Sequence, residues 1–257
     1  MKVTLRFLLI CLLITTVYSK CLAQFTPPGL GQTKLASWYA VGLKQNLNKE
    51  KNLNSTTYLG LGLISNPDSY NLFEKKSIYV INEEVSHRFK NHWQYSIALS
   101  YRWQQKYNAT EPYEKATPEA RQEIRYYNRF SYLNSFKKIN YSFSYRPELR
   151  LFYNPNFSTA EESVQFRSRL RGKMSFHTNS LHTSKLSTTV ELLFSTSKTN
   201  SWSTFQYKEA RFSLYYSTDL PNQHTTLSIG YMNNILGTTN ITYAHYLAFD
   251  VLINNPF

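Results

Sequence analysis

Hydrophobic and polar residues alternate along most of the chain. In residues 139–154, INYSFSYRPELRLFYN, Phe143 and Leu149 fall on one parity, whereas Arg146, Glu148 and Arg150 fall on the other. Successive side chains of a β-strand point to opposite faces. The segment therefore predicts a strand with one apolar and one charged face, and it leaves open which face is interior.

Eleven such runs follow one another after the first thirty or so residues. Their lengths, about ten to fifteen residues, are typical of tilted strands that cross an outer membrane and exceed those of most globular strands. Only residues 111–123 have a spacing that also allows a helix. We therefore expect an all-β fold. The runs cover residues 35–46, 55–65, 76–89, 92–104, 121–133, 139–153, 162–177, 184–196, 204–217, 223–232 and 240–253.

The connections between these runs predict an up-and-down antiparallel transmembrane β-barrel. Short connections such as 89–92 and 135–138 alternate with longer ones such as 65–74 and 107–120, as they do in outer-membrane barrels. Bacterial single-chain barrels have an even number of strands, so we predict about twelve strands, with ten as the alternative. Pro147 cannot donate a ladder hydrogen bond and predicts a bulge in its strand.

The order of apolar residues within a run indicates which face meets lipid. Residues 93–103 carry aromatic side chains at both ends and the aliphatic Ile97 and Leu99 between them. Trp and Tyr favour the headgroup level of a bilayer, and aliphatic side chains favour the acyl region. This order favours a membrane barrel, whereas a soluble barrel with the same alternation would bury its apolar face. The predicted aromatic girdle consists of Trp93, Tyr95, Tyr101, Trp103, Tyr141 and Tyr153.

Both ends of the chain predict export to the cell outer membrane. Lys2 and Arg6 precede an apolar run, and Ala23 ends a segment typical of a cleaved signal peptide. We therefore expect a signal peptide at residues 1–23 and a barrel at residues 24–257. The last run alternates and closes on an aromatic residue, which resembles the strand that the barrel assembly machinery recognises. The predicted terminal assembly signal consists of Phe249, Val251 and Phe257.

Composition narrows the chemistry of the mature chain. Both cysteines, Cys11 and Cys21, lie in the predicted signal peptide, so disulfides, thiol catalysis and thiolate metal sites are excluded. Removing the three cations Lys2, Arg6 and Lys20 with that peptide lowers the formal charge from +13 to +10. Such a balance suits anionic partners, here outer-membrane lipid and lipopolysaccharide, and export argues against nucleic acid.

The charged parity of the middle runs predicts a charged lumen. Neighbouring runs offer Arg and Glu to each other, and Arg121 and Glu123 share this parity. A salt-bridged lattice that seals the barrel is one interpretation, and an under-neutralised arginine ladder that passes anions is the other. Barrel size does not decide between them. The predicted lumen ladder consists of Arg125, Arg129, Arg146, Glu148, Arg150, Arg167, Arg169, Arg171, Glu191, Glu209 and Arg211.

Catalytic patterns are weak. His182 and Ser184 have the spacing of a base and a nucleophile in outer-membrane phospholipases, but they lie in a predicted turn with no acid to orient the base. The histidines show no metal-ligand spacing, and no glycine-rich phosphate loop is present. We therefore expect no enzyme activity, cofactor or metal, and a lipid hydrolase is a remote alternative.

Four segments carry a family resemblance: SWYAVGL, ARQEIRYYNRF, YSFSYRPELRLFY and VQFRSRLRGKMSF. With them the chain resembles the domain of unknown function (DUF) 2490 family, outer-membrane barrels of Gram-negative bacteria. The resemblance implies the barrel and its location and brings no catalytic residue. The expected function is a narrow pore for small, especially anionic, solutes. The alternative is a sealed structural or binding barrel that acts through its extracellular loops.

Overall fold

The computed structural model describes residues 33–136, 138–238 and 240–257, so the predicted signal peptide lies outside the described residues. In this part of the chain, eleven strands and one short 3-10 turn, Pro221–Gln223, form the fold. The strands are β1 Leu35–Asn46, β2 Leu53–Ile64, β3 Lys75–Lys90, β4 Trp93–Tyr107, β5 Lys115–Phe136, β6 Ile139–Tyr153, β7 Thr159–His177, β8 Ser184–Lys198, β9 Gln206–Leu220, β10 Thr225–Leu236 and β11 Thr242–Asn254.

The strands close into a single barrel. Each strand pairs antiparallel with its neighbour in sequence, and β1 pairs with β11 in parallel to close the ring. The predicted all-β barrel is confirmed, and the eleven strands are compatible with the predicted count of about twelve. Because the number is odd, the first and last strands run in the same direction, and the register from Leu35↔His245 to Lys44↔Asn254 forms the seam.

The connections divide the barrel into two different ends. The connections after β2, β4, β6 and β8 lie together at what we call the loop end, and they include the three longest between described strands, residues 65–74, 108–114 and 199–205. The opposite turn end carries the connections after β1, β3, β5, β7 and β9. The alternation agrees with the sequence pattern, except that the connection at 47–52, on the turn end, was not anticipated.

Two local predictions are wrong. Residues 111–123, which allowed a helix, form a turn followed by the first residues of β5. Pro147 causes no bulge: β5 and β6 lose two ladder pairs beside it, yet the register is the same for Tyr127↔Glu148 and Phe130↔Tyr145. The chain keeps its register because Pro147 still pairs with Ser168 on the β7 side.

The apolar face of the strands points outward. Leu59, Leu99 and Phe143 are about 60% exposed, at 58%, 59% and 62%, whereas inward Arg125 and Glu148 are 1% exposed. A soluble barrel buries its apolar face and exposes its charges. The exterior of this barrel is therefore suited to an apolar medium.

The interior has two sectors. Charged side chains line the wall from β3 to β9, and an apolar and aromatic cluster lines the wall around the seam. The large members of this aromatic sector are Trp38, Tyr58, Tyr215, Tyr246 and Met232. The barrel is thus filled by side chains, and its two halves differ in polarity.

Glycines make room for the rings of the aromatic sector. The Trp38 ring lies over Gly60, where an added Cβ would be 2.3 and 2.4 Å from two ring carbons. Tyr58 covers Gly42 in the same way, and Tyr215 covers its cross-strand partner Gly230. This pairing of an aromatic ring with a facing glycine stabilises the strand register at these positions.

We predict that Gly60→Ala lowers the free energy of unfolding by about 1–3 kcal/mol, because Trp38 is fully buried and cannot move away from a new methyl group. The measurement is a urea unfolding curve of the refolded protein. Gly172→Ala is the matched control, since the nearest atom there, on Phe143, would be 3.7 Å from the new Cβ. Equal stabilities of the two variants would contradict the prediction.

Candidate functional site

A continuous network of ion pairs crosses the charged sector from β5 to β9; we call it the Arg–Glu lattice. Arginine and glutamate meet because they lie opposite or diagonal on the inner face; Glu191, for example, faces Arg171 on β7 and Arg211 on β9. The N–O distances are 2.7 Å for Arg150–Glu123, 2.6 Å for Glu123–Arg125, 3.2 Å for Arg125–Glu148, 2.8 Å for Glu148–Arg169, 3.3 Å for Arg169–Glu191, 3.9 Å for Glu191–Arg211, 2.6 Å for Arg211–Glu209 and 3.8 Å for Glu209–Arg167.

Glu148 is the centre of the lattice. Its carboxylate pairs with Arg125, with Arg169 and, at 2.5 Å, with Arg146. The Glu148 side chain has no exposed surface. Three guanidinium groups therefore share this buried carboxylate. Arg125 also pairs with Glu123 and Arg169 also pairs with Glu191, whereas Glu148 is the carboxylate that pairs with Arg146.

A smaller cluster lies beside the lattice. Arg129 pairs with Glu84 on β3 at 3.2 Å, and the Tyr127 hydroxyl donates to the same carboxylate at 2.8 Å. The guanidinium of Arg146 packs over the Tyr127 ring at 4.4 Å. Tyr127 thus connects the Glu84–Arg129 pair to the lattice through a cation–π contact.

The lattice carries an excess of positive charge. Its members are six arginines (125, 146, 150, 167, 169 and 211) and four glutamates (123, 148, 191 and 209). Arg171 adds to this excess. It interacts with the charge of Glu191, but the ion pairs of Glu191 are formed with Arg169 and Arg211. Among the described residues no ion pair of Arg102 is found either, although it is buried beside Glu123.

The lattice is closely packed. Glu148, Arg169 and Arg211 are at most 3% exposed to a water-sized sphere, although they face the lumen. Arg146 and Arg167 have 15% exposed side chains and are the more accessible members of the lattice. A wide aqueous channel would expose the side chains that line it.

The structure brings most of the predicted ladder together. Nine of its members belong to the lattice; Arg129 pairs with Glu84 instead, and Arg171 remains apart. Sequence reasoning missed Glu84 and Arg102, which share the inward parity of their strands with buried Val80 and Ala98. Parity alone would have located both, since each lies on the inward parity of its predicted run.

One acid lies outside this network. Asp250, on β11, is 7% exposed and points into the aromatic sector. It interacts with the Trp38 indole, yet neither carboxylate oxygen forms a hydrogen bond of normal geometry. Sequence reasoning missed Asp250, whose signal was a single charge among Ala244, Ala248 and Leu252 on the inward parity.

The predicted girdle residues lie on the outer wall, partly or largely exposed, with Trp93 the most open. Trp93, Tyr95 and Tyr141 lie towards the turn end, and Tyr101, Trp103 and Tyr153 lie towards the loop end. Of the predicted assembly signal, Phe249 and Val251 line an outer groove, and Phe257 is exposed beyond β11.

Among the described residues, no hydrogen bond joins the His182 ring to the Ser184 hydroxyl. Its ring packs against His177 with centroids 4.7 Å apart, and the Ser184 hydroxyl forms a hydrogen bond with Thr218 at 3.0 Å. In the part of the chain that the structure describes, no group of three or more His, Cys, Asp or Glu residues could hold a metal ion. The described residues also contain no helix that is long and apolar enough to cross a membrane.

A family model described as protein of unknown function (DUF2490) matches residues 36–244, which is most of the chain. The chain belongs to the DUF2490 family. The match covers the whole Arg–Glu lattice and ends before Asp250. No curated protein matches the chain. The DUF2490 barrel, with its apolar exterior, is compatible with an outer-membrane protein.

Proposed function

We propose that this DUF2490 protein is an outer-membrane β-barrel that is closed to free diffusion and serves as a structural or binding barrel. The observation that carries the proposal is the buried, mutually ion-paired interior: Glu148 with its three arginines fills the space that a diffusion channel would need. Outer-membrane lipid and lipopolysaccharide are the proposed surroundings. The assembly machinery is the proposed partner for β11.

The exterior supports the membrane location. Aliphatic side chains such as Ile97 and Leu99 are exposed at the middle of β4, with Trp93 and Trp103 towards its two ends. Long loops at one end and short turns at the other are typical of outer-membrane barrels. In such a barrel the loop end would face the cell exterior and would carry any contact with macromolecules.

Burying the charged groups of the lattice costs desolvation free energy, which suits a role in holding the strands rigidly in place. Removing two charges from water costs several kcal/mol per ion, and the mutual attraction of the pair offsets this only with good geometry. The short distances at Glu148 and Glu123 provide that geometry. A lattice of this kind fixes the relative positions of five strands and makes the barrel rigid.

A narrow anion path is the second candidate function. It is favoured by the excess of arginine in the lattice and by Arg171, which has no short-range carboxylate partner among the described residues. Rings of arginine line anion-selective pores. The path would pass the more accessible side chains of Arg146 and Arg167.

We expect no ion conductance when the refolded protein is inserted in a planar lipid bilayer, because the buried side chains of the lattice would block a continuous aqueous channel. Folding and insertion are verified independently, by heat-dependent gel mobility and by protease resistance in vesicles. A variant with Arg167, Arg169 and Arg171 changed to Gln is measured beside the wild type.

Discrete conductance steps of the wild type would overturn the closed interior. If their anion preference falls in the triple variant, the narrow anion path replaces the closed barrel as the function. Esterase activity towards phospholipid that is lost in Ser184→Ala would contradict the expectation that the protein is not an enzyme and would favour the lipid hydrolase.

A further inference from the structure

Cationic side chains are concentrated along one part of the turn end, at the turns after β1, β3 and β5; we call this set the basic arc. Four of its members are exposed lysines, and the fifth is an arginine near the end of β3. Among the described residues of these turns, Glu50 supplies the carboxylate that accompanies the five cations. The members of the basic arc are Lys49, Lys51, Arg88, Lys90 and Lys138.

The lysines of the basic arc lack partners within the described part of the chain. No ion pair or cation–π contact of these four side chains is found there. Three lysines at the loop end differ in this respect: Lys115 pairs with Glu119 at 2.8 Å, and Lys34 and Lys75 lie over tyrosine rings. The charge of the basic arc is therefore accessible to an anionic partner.

Each turn of the basic arc also exposes a large apolar side chain. Leu47, Phe89 and Phe136 are 49%, 50% and 58% exposed, and all three continue the outward parity of their strands. Trp93 is 46% exposed and lies opposite Lys90 across the ladder. The apolar outer wall thus extends to the level of the lysines, and each turn presents an apolar and a cationic side chain together.

Backbone hydrogen bonds join the turns of the basic arc to the strands beside them. The Arg88 amide donates to the Asn52 carbonyl at 2.8 Å, which links the first turn to β3. The Leu133 amide donates to the His92 carbonyl at 2.7 Å, which links the second turn to β5. The lysines are therefore carried by one continuous edge of the barrel.

We propose that the basic arc binds anionic phospholipid, with its cations at the phosphate-bearing headgroups and its apolar side chains at the boundary of the acyl chains. Cationic side chains near a membrane surface attract anionic lipid, and lysine can lay its methylene stem along an apolar surface while its ammonium group stays in water. An acidic protein segment would compensate the lysines but would not account for the outward apolar side chains beside them. A neutral lipid would cover the apolar side chains and leave the cations uncompensated. The inference rests on the outer-membrane location proposed above, in which the turn end meets the periplasmic leaflet.

The test uses Trp93 as a local reporter, because it lies on the outer wall beside Lys90. Trp103 and Trp202 are changed to Phe, and Trp38 is kept because it is fully buried inside the barrel. This parent variant is refolded in vesicles that contain equal amounts of phosphatidylcholine and phosphatidylglycerol, with one of the two lipids brominated along its acyl chains. Quenching of the fluorescence by each brominated lipid measures which lipid contacts Trp93. We expect phosphatidylglycerol to bind there about fivefold more tightly than phosphatidylcholine.

Two matched variants of this parent locate the site. The arc variant changes three exposed lysines of the basic arc to Gln: Lys49, Lys90 and Lys138. The control variant removes the same charge from three exposed lysines at the loop end: Lys34, Lys76 and Lys106. We expect the arc variant to bind the two lipids about equally and the control variant to keep the preference of the parent. Added salt should lower the preference of the parent, because it screens exposed charges.

Equal quenching of the parent by the two brominated lipids would overturn the binding of anionic phospholipid and leave the membrane location intact. A preference that persists in the arc variant, or that falls equally in the control variant, would overturn the basic arc as its source. If neither brominated lipid quenches Trp93 in protein that is folded by gel mobility, the outer wall does not face lipid. The proposed location then fails together with the inference.

Discussion

Glu148→Gln is expected to lower the free energy of unfolding by about 3–5 kcal/mol, because it leaves three arginines without their shared carboxylate in a buried site. Glutamine keeps the shape of glutamate, so the change removes charge and little volume. Arg125, Arg146 and Arg169 would then repel one another at short range. The measurement is urea unfolding in lipid vesicles, followed by tryptophan fluorescence and by gel mobility.

Glu162→Gln is the matched control for this change. Within the described part of the chain Glu162 makes one ion pair, with Arg121, and both side chains are about one-third exposed. Partly exposed pairs contribute about 0–1 kcal/mol, so the control should unfold close to the wild type. Similar losses in both variants would show that the lattice does not stabilise the barrel as its geometry predicts.

A double variant separates charge compensation from packing. If Glu148→Gln destabilises the barrel because the neighbouring arginines repel one another, adding Arg146→Gln should restore part of the lost stability, since it removes the arginine that pairs with Glu148 and not with Glu123 or Glu191. The two changes should then be non-additive, as expected for groups in one network. Additive losses would indicate that packing alone explains the effect. If Glu148→Gln yields no folded band at all, recovery of that band in the double variant gives the same answer.

Leu99→Arg is expected to destabilise the barrel by about 2–4 kcal/mol in a bilayer, because an outward arginine at the middle of a transmembrane strand must enter hydrocarbon. Leu99 is 59% exposed and lies midway along β4. On a soluble barrel the same exposed position would tolerate arginine within about 0.5 kcal/mol. Urea unfolding of the protein refolded in vesicles measures the difference.

Tyr70→Arg serves as the control for Leu99→Arg. Tyr70 is 71% exposed in the loop between β2 and β3, at the loop end of the barrel. Arginine there stays in water in either environment, so little change is expected. If Leu99→Arg is as stable as Tyr70→Arg, the outer wall does not face lipid and the proposed membrane location fails.

The strands of the barrel could be located from sequence with few errors. Alternation places Arg146, Glu148 and Arg150 on one face and Phe143 and Leu149 on the other, and the structure has them inside and outside respectively. A period of two follows from strand geometry and needs no tertiary information. The errors arose where local chemistry was ambiguous, at the Pro147 position and in residues 111–123.

The partners of the charged residues could not be predicted in the same way. Arg171 and Arg169 have the same residue type and the same parity, yet Arg169 pairs with Glu148 and Glu191 while Arg171 does not. Which arginine forms an ion pair depends on the stagger of the strands and on the distance from each guanidinium to the nearest carboxylate. These are properties of the closed barrel and not of any single strand.

The sequence by itself determined the all-β class, the strand positions and the polarity of each face, because these depend on residues two apart in one strand. Only the tertiary structure decided the parallel seam between β1 and β11, the central position of Glu148 in the lattice and the lack of an ion pair for Asp250 among the described residues. Each of these joins residues that are far apart in the chain. Barrel closure sets their distances, and alternation along a strand carries no information about it.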